Sequence, residues 1–140
     1  MKSYLRSEIT LEVPFHDVDS MGIVWHGHYV KYLEIARTAL IRSIGLDIPQ
    51  MEAVGSVWPI VSCEMKYVRP LRYGQSFRVR VDLLEHQNRI KMGYLLTDAA
   101  SGEVLNRATT VQVAVKADTG ELIFETPSGL FDHLELQDLP

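Results

Sequence analysis

The residues best equipped for chemistry in this chain crowd between Val13 and Tyr29. The stretch holds two carboxylates, Asp17 and Asp19, three histidines, His16, His26 and His28, and two glycines, Gly22 and Gly27. Carboxylates and imidazoles are the side chains that attack, accept or deliver protons near neutral pH. His16, Asp17, Asp19 and the His26-Gly-His28 pair also offer the oxygen and nitrogen donors of a metal-dependent hydrolase. The bland alternatives are an Asp that caps a turn and a His packed against backbone.

Such a cluster needs an element on each side to hold it. Upstream, Ile9, Leu11, Val13 and Phe15 alternate with Glu8, Thr10 and Glu12, which predicts a half-buried strand over 8–15. Pro14 lacks an amide donor and marks a sheet edge or the end of that strand. Downstream, Tyr29, Leu33, Ala36, Leu40 and Ile44 recur at helical spacing, and Val30 and Ile41 widen the stripe. This predicts a largely enclosed helix over 29–44, stopped by Gly45 with Pro49 beyond it. The cluster therefore sits where a strand hands over to a buried helix.

The rest of the chain reads as strands. Val57 to Val68 is one apolar run; Phe77, Val79, Val81 and Leu83 alternate with Arg78, Arg80 and Asp82; further strands are expected at about 89–98 and 104–116. In the last, Val111, Val113 and Val115 alternate with Thr110, Gln112 and Lys116. Turn signals separate these runs, so an antiparallel meander is expected, and Thr126-Pro127-Ser128 is placed to open a short terminal helix. The class is α+β: one sheet curled around one helix. Its free edge and outer face favour a homo-oligomer, most simply a twofold dimer.

Composition narrows the field. At 140 residues the chain is read as a single domain over 1–140, with 46% hydrophobic and 23% charged residues, as in ordinary globular proteins. No run of about 18 apolar residues suggests a membrane span, and the first residues lack the apolar core of a secretion signal. The lone Cys63 has no internal disulfide partner, which fits a reducing cytoplasm. Lying in an apolar run, it reads as a small buried hydrophobe. A net charge of −4 with no dominant basic stripe argues against nucleic acid, and any polyanionic ligand needs a local basic cluster.

Asp17-Val-Asp19-Ser-Met-Gly22-Ile-Val24-Trp-His26-Gly-His-Tyr29, followed by Tyr32-Leu-Glu34-Ile-Ala36-Arg37, closely resembles the signature of hotdog-fold acyl-CoA thioesterases. The branch is the 4-hydroxybenzoyl-CoA thioesterase type, which includes small YbgC-like enzymes. Pro59 to Cys63 is similar to that branch's second strand, and the likeness runs over about 5–118. The resemblance implies hydrolysis of an acyl-CoA thioester to a free acid and coenzyme A. It implies no metal or redox cofactor, and assembly into dimers and often tetramers. It makes Asp19, the second Asp of the Asp-x-Asp pattern, the key carboxylate.

On that footing Asp19 either attacks the thioester directly or activates a water. The amides of His26, Gly27, His28 and Tyr29, at the opening of the helix, are candidate oxyanion donors. Gly27 permits close approach of backbone. The His26 imidazole either orients substrate and assists proton transfer or is a packed histidine. His28 stands where the family more often carries an N-capping Asn or Ser, and is read as facing the acyl pocket. Asp17 reads as structural. Glu34 reads as a helix residue paired with Arg37 or Lys31. Arg89 and Lys91 resemble a phosphate-contacting turn of the family, with Arg69 and Arg72 as further coenzyme A contacts. Trp25, Trp58, Tyr29 and Tyr32 read as core aromatics or acyl-pocket walls. The competing readings are a non-catalytic acyl-CoA-binding subunit and the metallohydrolase; the His-Phe-Pro pattern of hotdog dehydratases is missing.

Overall fold

A computed structural model describes residues 1–127 and 129–140, the side chain of Ile48 excepted. Its elements are β1 (Lys2–Ser3), β2 (Leu5–Glu12), α1 (Tyr29–Arg42), α2 (Ile48–Glu52), β3 (Ser56–Val57) and β4 (Ile60–Tyr67). β5 (Ser76–Glu85), β6 (Ile90–Asp98), β7 (Val104–Gln112), β8 (Ala114–Lys116), β9 (Leu122–Ile123) and β10 (Gln137–Asp138) follow. Five strands form one antiparallel sheet in the order β2-β5-β6-β7-β4.

The inward side of this sheet comes from simple alternation. Phe77, Val79, Val81 and Leu83 of β5 and Met92, Tyr94 and Leu96 of β6 are buried, and they form one core with Tyr32, Leu33, Ala36 and Leu40 of α1. Trimming such a side chain to Ala typically costs about 2–5 kcal/mol. At its far end, α1 closes as the Gly45 punctuation predicts. Gly45 has φ of 79°, its amide donates to the Arg42 carbonyl, and the Leu46 amide donates to the Ile41 carbonyl. This is the paired bonding of a left-handed glycine cap.

Several expectations need correction. Only β5, β6 and β7 form a meander; β4 pairs with β7 at the far edge. The β4–β5 link is no hairpin: Val68 and Arg69 both donate to the Leu105 carbonyl, and Arg72 bridges to Ile23, which carries the chain across to the opposite side of the sheet. The run from Val57 to Val68 is broken at Trp58-Pro59, and β4 carries a register shift between Ile60 and Ser62. Pro14 does end an edge strand, so Phe15 leaves the alternation; it is 73% exposed and packs edge-on to Tyr73.

Val30 is exposed because it turns away from the sheet. Cys63 is exposed too, since β4 shows solvent both faces as well as its outer edge. In β7 and β8 the phase is inverted: Thr110, Gln112 and Ala114 face inward, and the alternating valines are only half-buried. Thr126 and Pro127 are not helical, and Ser128 lies outside the described residues.

Candidate active site

The cluster between β2 and α1 is a compact excursion. A turn of 3-10 helix over Phe15–Asp17 leads into a small loop, and a second over His26–His28 runs straight into α1. The loop is closed by a bridge between Val18 and Val24, with the Asp19 amide donating to the Ile23 carbonyl at 2.8 Å and the Gly22 amide to the Asp19 carbonyl at 3.0 Å. Gly22 has φ of 77°, a conformation that disfavours any side chain.

The two carboxylates part company here. Asp17 is fully buried. Its oxygens accept from Lys31 Nζ at 2.6 and 2.7 Å and from the Tyr32 hydroxyl at 2.6 Å. Burial pushes its carboxyl upward, but the Lys31 and Tyr32 hydrogen bonds and the charges of Lys31 and His28 outweigh that, and the carboxyl stays below its usual range. Burial and the same contact raise the Tyr32 hydroxyl. Asp17 is thus the structural carboxylate expected, a post that anchors the loop to the first turns of α1.

Asp19 is held differently. One oxygen accepts from the Met21 amide at 2.8 Å, and the other meets no partner among the described residues. Asp19 lines a cleft of about 390 Å³ together with His26, Tyr29, Tyr67, Arg69 and Pro70. Of the predicted residues, the structure therefore brings together Asp19, His26, Tyr29 and Arg69. Arg72 sits next door, in a neighbouring surface hollow that also includes Arg69.

The opening of α1 supplies amides. The His28 amide donates to the Trp25 carbonyl at 2.9 Å and is occupied, whereas those of His26 and Gly27 meet no acceptor among the described residues. Of the expected set, the His28 amide is thus the one shown to be occupied. Gly27 leaves room for a near neighbour: a Cβ there would lie 2.2 Å from the Trp25 indole, which would have to move. Trp25 itself is 48% exposed and not core; its ring stands beside those of His26 and His28. His28 does not face the cleft. Its Nδ1 is 3.9 Å from Asp17, where the buried negative charge draws it.

Tyr67 was missed by the sequence reading. At the end of β4 it donates its hydroxyl to the His26 carbonyl at 2.9 Å and packs edge-on against Tyr29. Nothing in its local pattern distinguishes it, because the contact joins residues far apart in the chain. Glu34 pairs with Arg37, as read. Tyr29 and Tyr32 are core. Arg89, paired with Glu85, and Lys91 lie at the β5–β6 turn. That is the opposite end of the ten-residue β5 from Arg72, roughly 30 Å of strand away. One chain does not bring them to Asp19. Among the described residues, no three His, Cys, Asp or Glu side chains gather around one point as metal ligands would.

A family model described as the thioesterase-like superfamily matches residues 13–134. The chain belongs to that superfamily. A Bacillus subtilis relative provisionally named acyl-CoA thioesterase YneP is 34% identical over 115 residues, 81% of this chain and 82% of the relative. A Synechocystis relative provisionally named esterase sll0410 is 32% identical over 128 residues, 91% of this chain and 77% of the relative. In fold, this superfamily member superposes on a DHNA-CoA thioesterase from Staphylococcus aureus with a TM-score of 0.78, at 24% identity and over 85% and 80% of the two chains. The long helix wrapped by a five-stranded antiparallel sheet is the hotdog architecture that the sequence signature implied.

Proposed function

We propose that this chain hydrolyses acyl-CoA thioesters to a free carboxylic acid and coenzyme A, with Asp19 as the reacting carboxylate. That it is a thioester hydrolase follows from its superfamily. The observation that carries the residue assignment is a shared wall: Asp19 and the opening turn of α1 line one cleft. A thioester carbonyl seated there has a carboxylate to one side and the His26 and Gly27 amides, with the helix dipole behind them, at its oxygen.

Two routes balance. The Asp19 oxygen can bond to the carbonyl carbon, the carbon–sulfur bond breaks, and water then opens the mixed anhydride. Alternatively water attacks, Asp19 takes its proton, and that proton passes to the leaving thiolate. Either way one water is consumed and one acid and one thiol appear. His26 and Tyr67 position the turn, and Arg69 and Arg72 offer cations to the phosphates of the coenzyme. The open edge of β4 supports a second copy of the chain pairing there. Such pairing is also the route by which Arg89 and Lys91 of another copy would reach the coenzyme.

The test is Asp19→Asn, which keeps shape and removes charge. Free-thiol release is expected to fall at least about 10²-fold, with acyl-CoA binding by calorimetry retained. Near wild-type turnover overturns the assignment. Retained binding without turnover in the wild type, across a panel of acyl-CoAs, favours the non-catalytic binding subunit instead.

A further inference from the structure

A second cavity, of about 300 Å³, lies beside the middle of α1, with α2, β3 and the Trp58 link as its other walls. It shares no residue with the cleft of Asp19, and the chemistry proposed above makes no use of it.

The buried part of its lining is built of donors without acceptors. Ser56 is fully buried and its hydroxyl meets no partner; Trp58 Nε1 and Arg37 Nη1 are buried and meet none either. Arg37 is tied to Glu34 through its other terminal nitrogen, Nη2. Burying a donor without an acceptor is unfavourable, and more so when it carries charge. An indole N–H and a guanidinium only donate, and a hydroxyl can donate. Three donors in one wall exceed the two lone pairs of a single neutral oxygen. A carboxylate brings two oxygens, about four acceptor positions, and binds Arg by charge-assisted hydrogen bonds.

The rim has the opposite sign. Glu34 and Asp47 are partly exposed and Glu52 is exposed, and all three line the cavity. Arg37 answers Glu34 and Arg42 answers Asp47, whereas Glu52 meets no partner among the described residues. A plain carboxylate inside would thus face an unanswered negative charge at the mouth. A ligand that also carries an ammonium group removes that conflict, its amine at Glu52 and its carboxylate at the buried donors. The stem between them has apolar wall to lie on, in the buried side chains of Ile41 and Ile90.

We propose that this cavity is a binding site for a small amino carboxylate, separate from the thioester cleft. The chain has two tryptophans, Trp25 and Trp58, so two indole N–H resonances report on it by NMR, and Trp58→Phe assigns them. The probes are γ-aminobutyrate and leucine, with butyrate and butylamine as one-ended controls. At least one amino carboxylate is expected to move the Trp58 resonance saturably, with a Kd at least about 10-fold below either control. Ser56→Ala is expected to weaken that binding about 10-fold. Glu52→Gln is expected to weaken the amino carboxylate to the level of butyrate while leaving butyrate itself no weaker. Ser56→Ala removes only an unpaired hydroxyl and Glu52 is exposed, so the melts of both variants are expected to hold.

No saturable Trp58 shift with either amino carboxylate, or equal shifts from a control, overturns the inference; the cavity then holds water alone. Competition between the amino carboxylate and an acyl-CoA in thiol release also overturns it, because the cavity would then belong to the substrate's own path. None of these outcomes bears on Asp19→Asn, so the hydrolase reading is tested separately.

Discussion

Two aspartates two positions apart show how environment divides labour. Asp17, sealed under Lys31 and Tyr32, holds structure; Asp19 lines a cleft with one oxygen unengaged among the described residues, as the proposed reaction requires. Because the folded state holds the Asp17 carboxyl below its ordinary value, the unfolded chain binds the proton more readily. Its contribution to stability is present above about pH 3.8 and is lost as pH falls through the lower folded value. Tyr32→Phe removes a hydrogen bond to a buried charge and is expected to cost about 1.5–3 kcal/mol. It should also start acid unfolding at a higher pH, both readable from circular dichroism melts. An unchanged acid midpoint would show that the hydroxyl does not hold that charge. At this scale the sequence was informative about Asp17, read as structural and found buried under Lys31 and Tyr32. It was silent on Tyr67 and on the side chain of His28, whose surroundings depend on contacts distant in the chain or set by one buried charge.

At the scale of elements, α1 and β5 were legible because each has a clean period. β4 was legible as a strand but not as an edge. Alternation reports which side chains pair with a core, and an edge strand with two open faces has none to report. The same blindness made Cys63 look buried; separately, the valine alternation misled in β7 and β8, where Thr110, Gln112 and Ala114 are the buried residues. Ile60, Val61 and Tyr67 are exposed on β4, and an unpaired apolar edge of this kind is a surface that proteins normally cover. Light scattering is expected to find the chain at a dimer's mass or above, and Val61→Lys to shift it toward monomer with the melt of α1 little changed. A monomeric wild type would contradict edge pairing.

Across the whole molecule, the last residues fold back over the sheet end that carries the β5–β6 turn. β10 pairs with β1, and Phe131 is fully buried. His86 sits between Tyr4 and Phe131 at ring distances of 4.6 and 6.0 Å. Burial depresses its imidazole below the usual value, against the pull of Asp132. A histidine that resists protonation when folded favours unfolding once the medium is acidic enough to protonate it in the open chain. Stability should therefore decline as pH drops below about 6.5, by at most about 1.4 kcal/mol per unit, and level off beneath the folded value. Replacing His86 by Phe should flatten that slope in urea titrations; a slope that persists would assign it to another group.

Tyr67 carries a last consequence. The residue that ties the His26 turn to the sheet stands at the tip of an outermost strand, where ladders fray first. Mild urea should therefore silence turnover well before helical ellipticity fades, so this protein would lose its work while still wearing its shape.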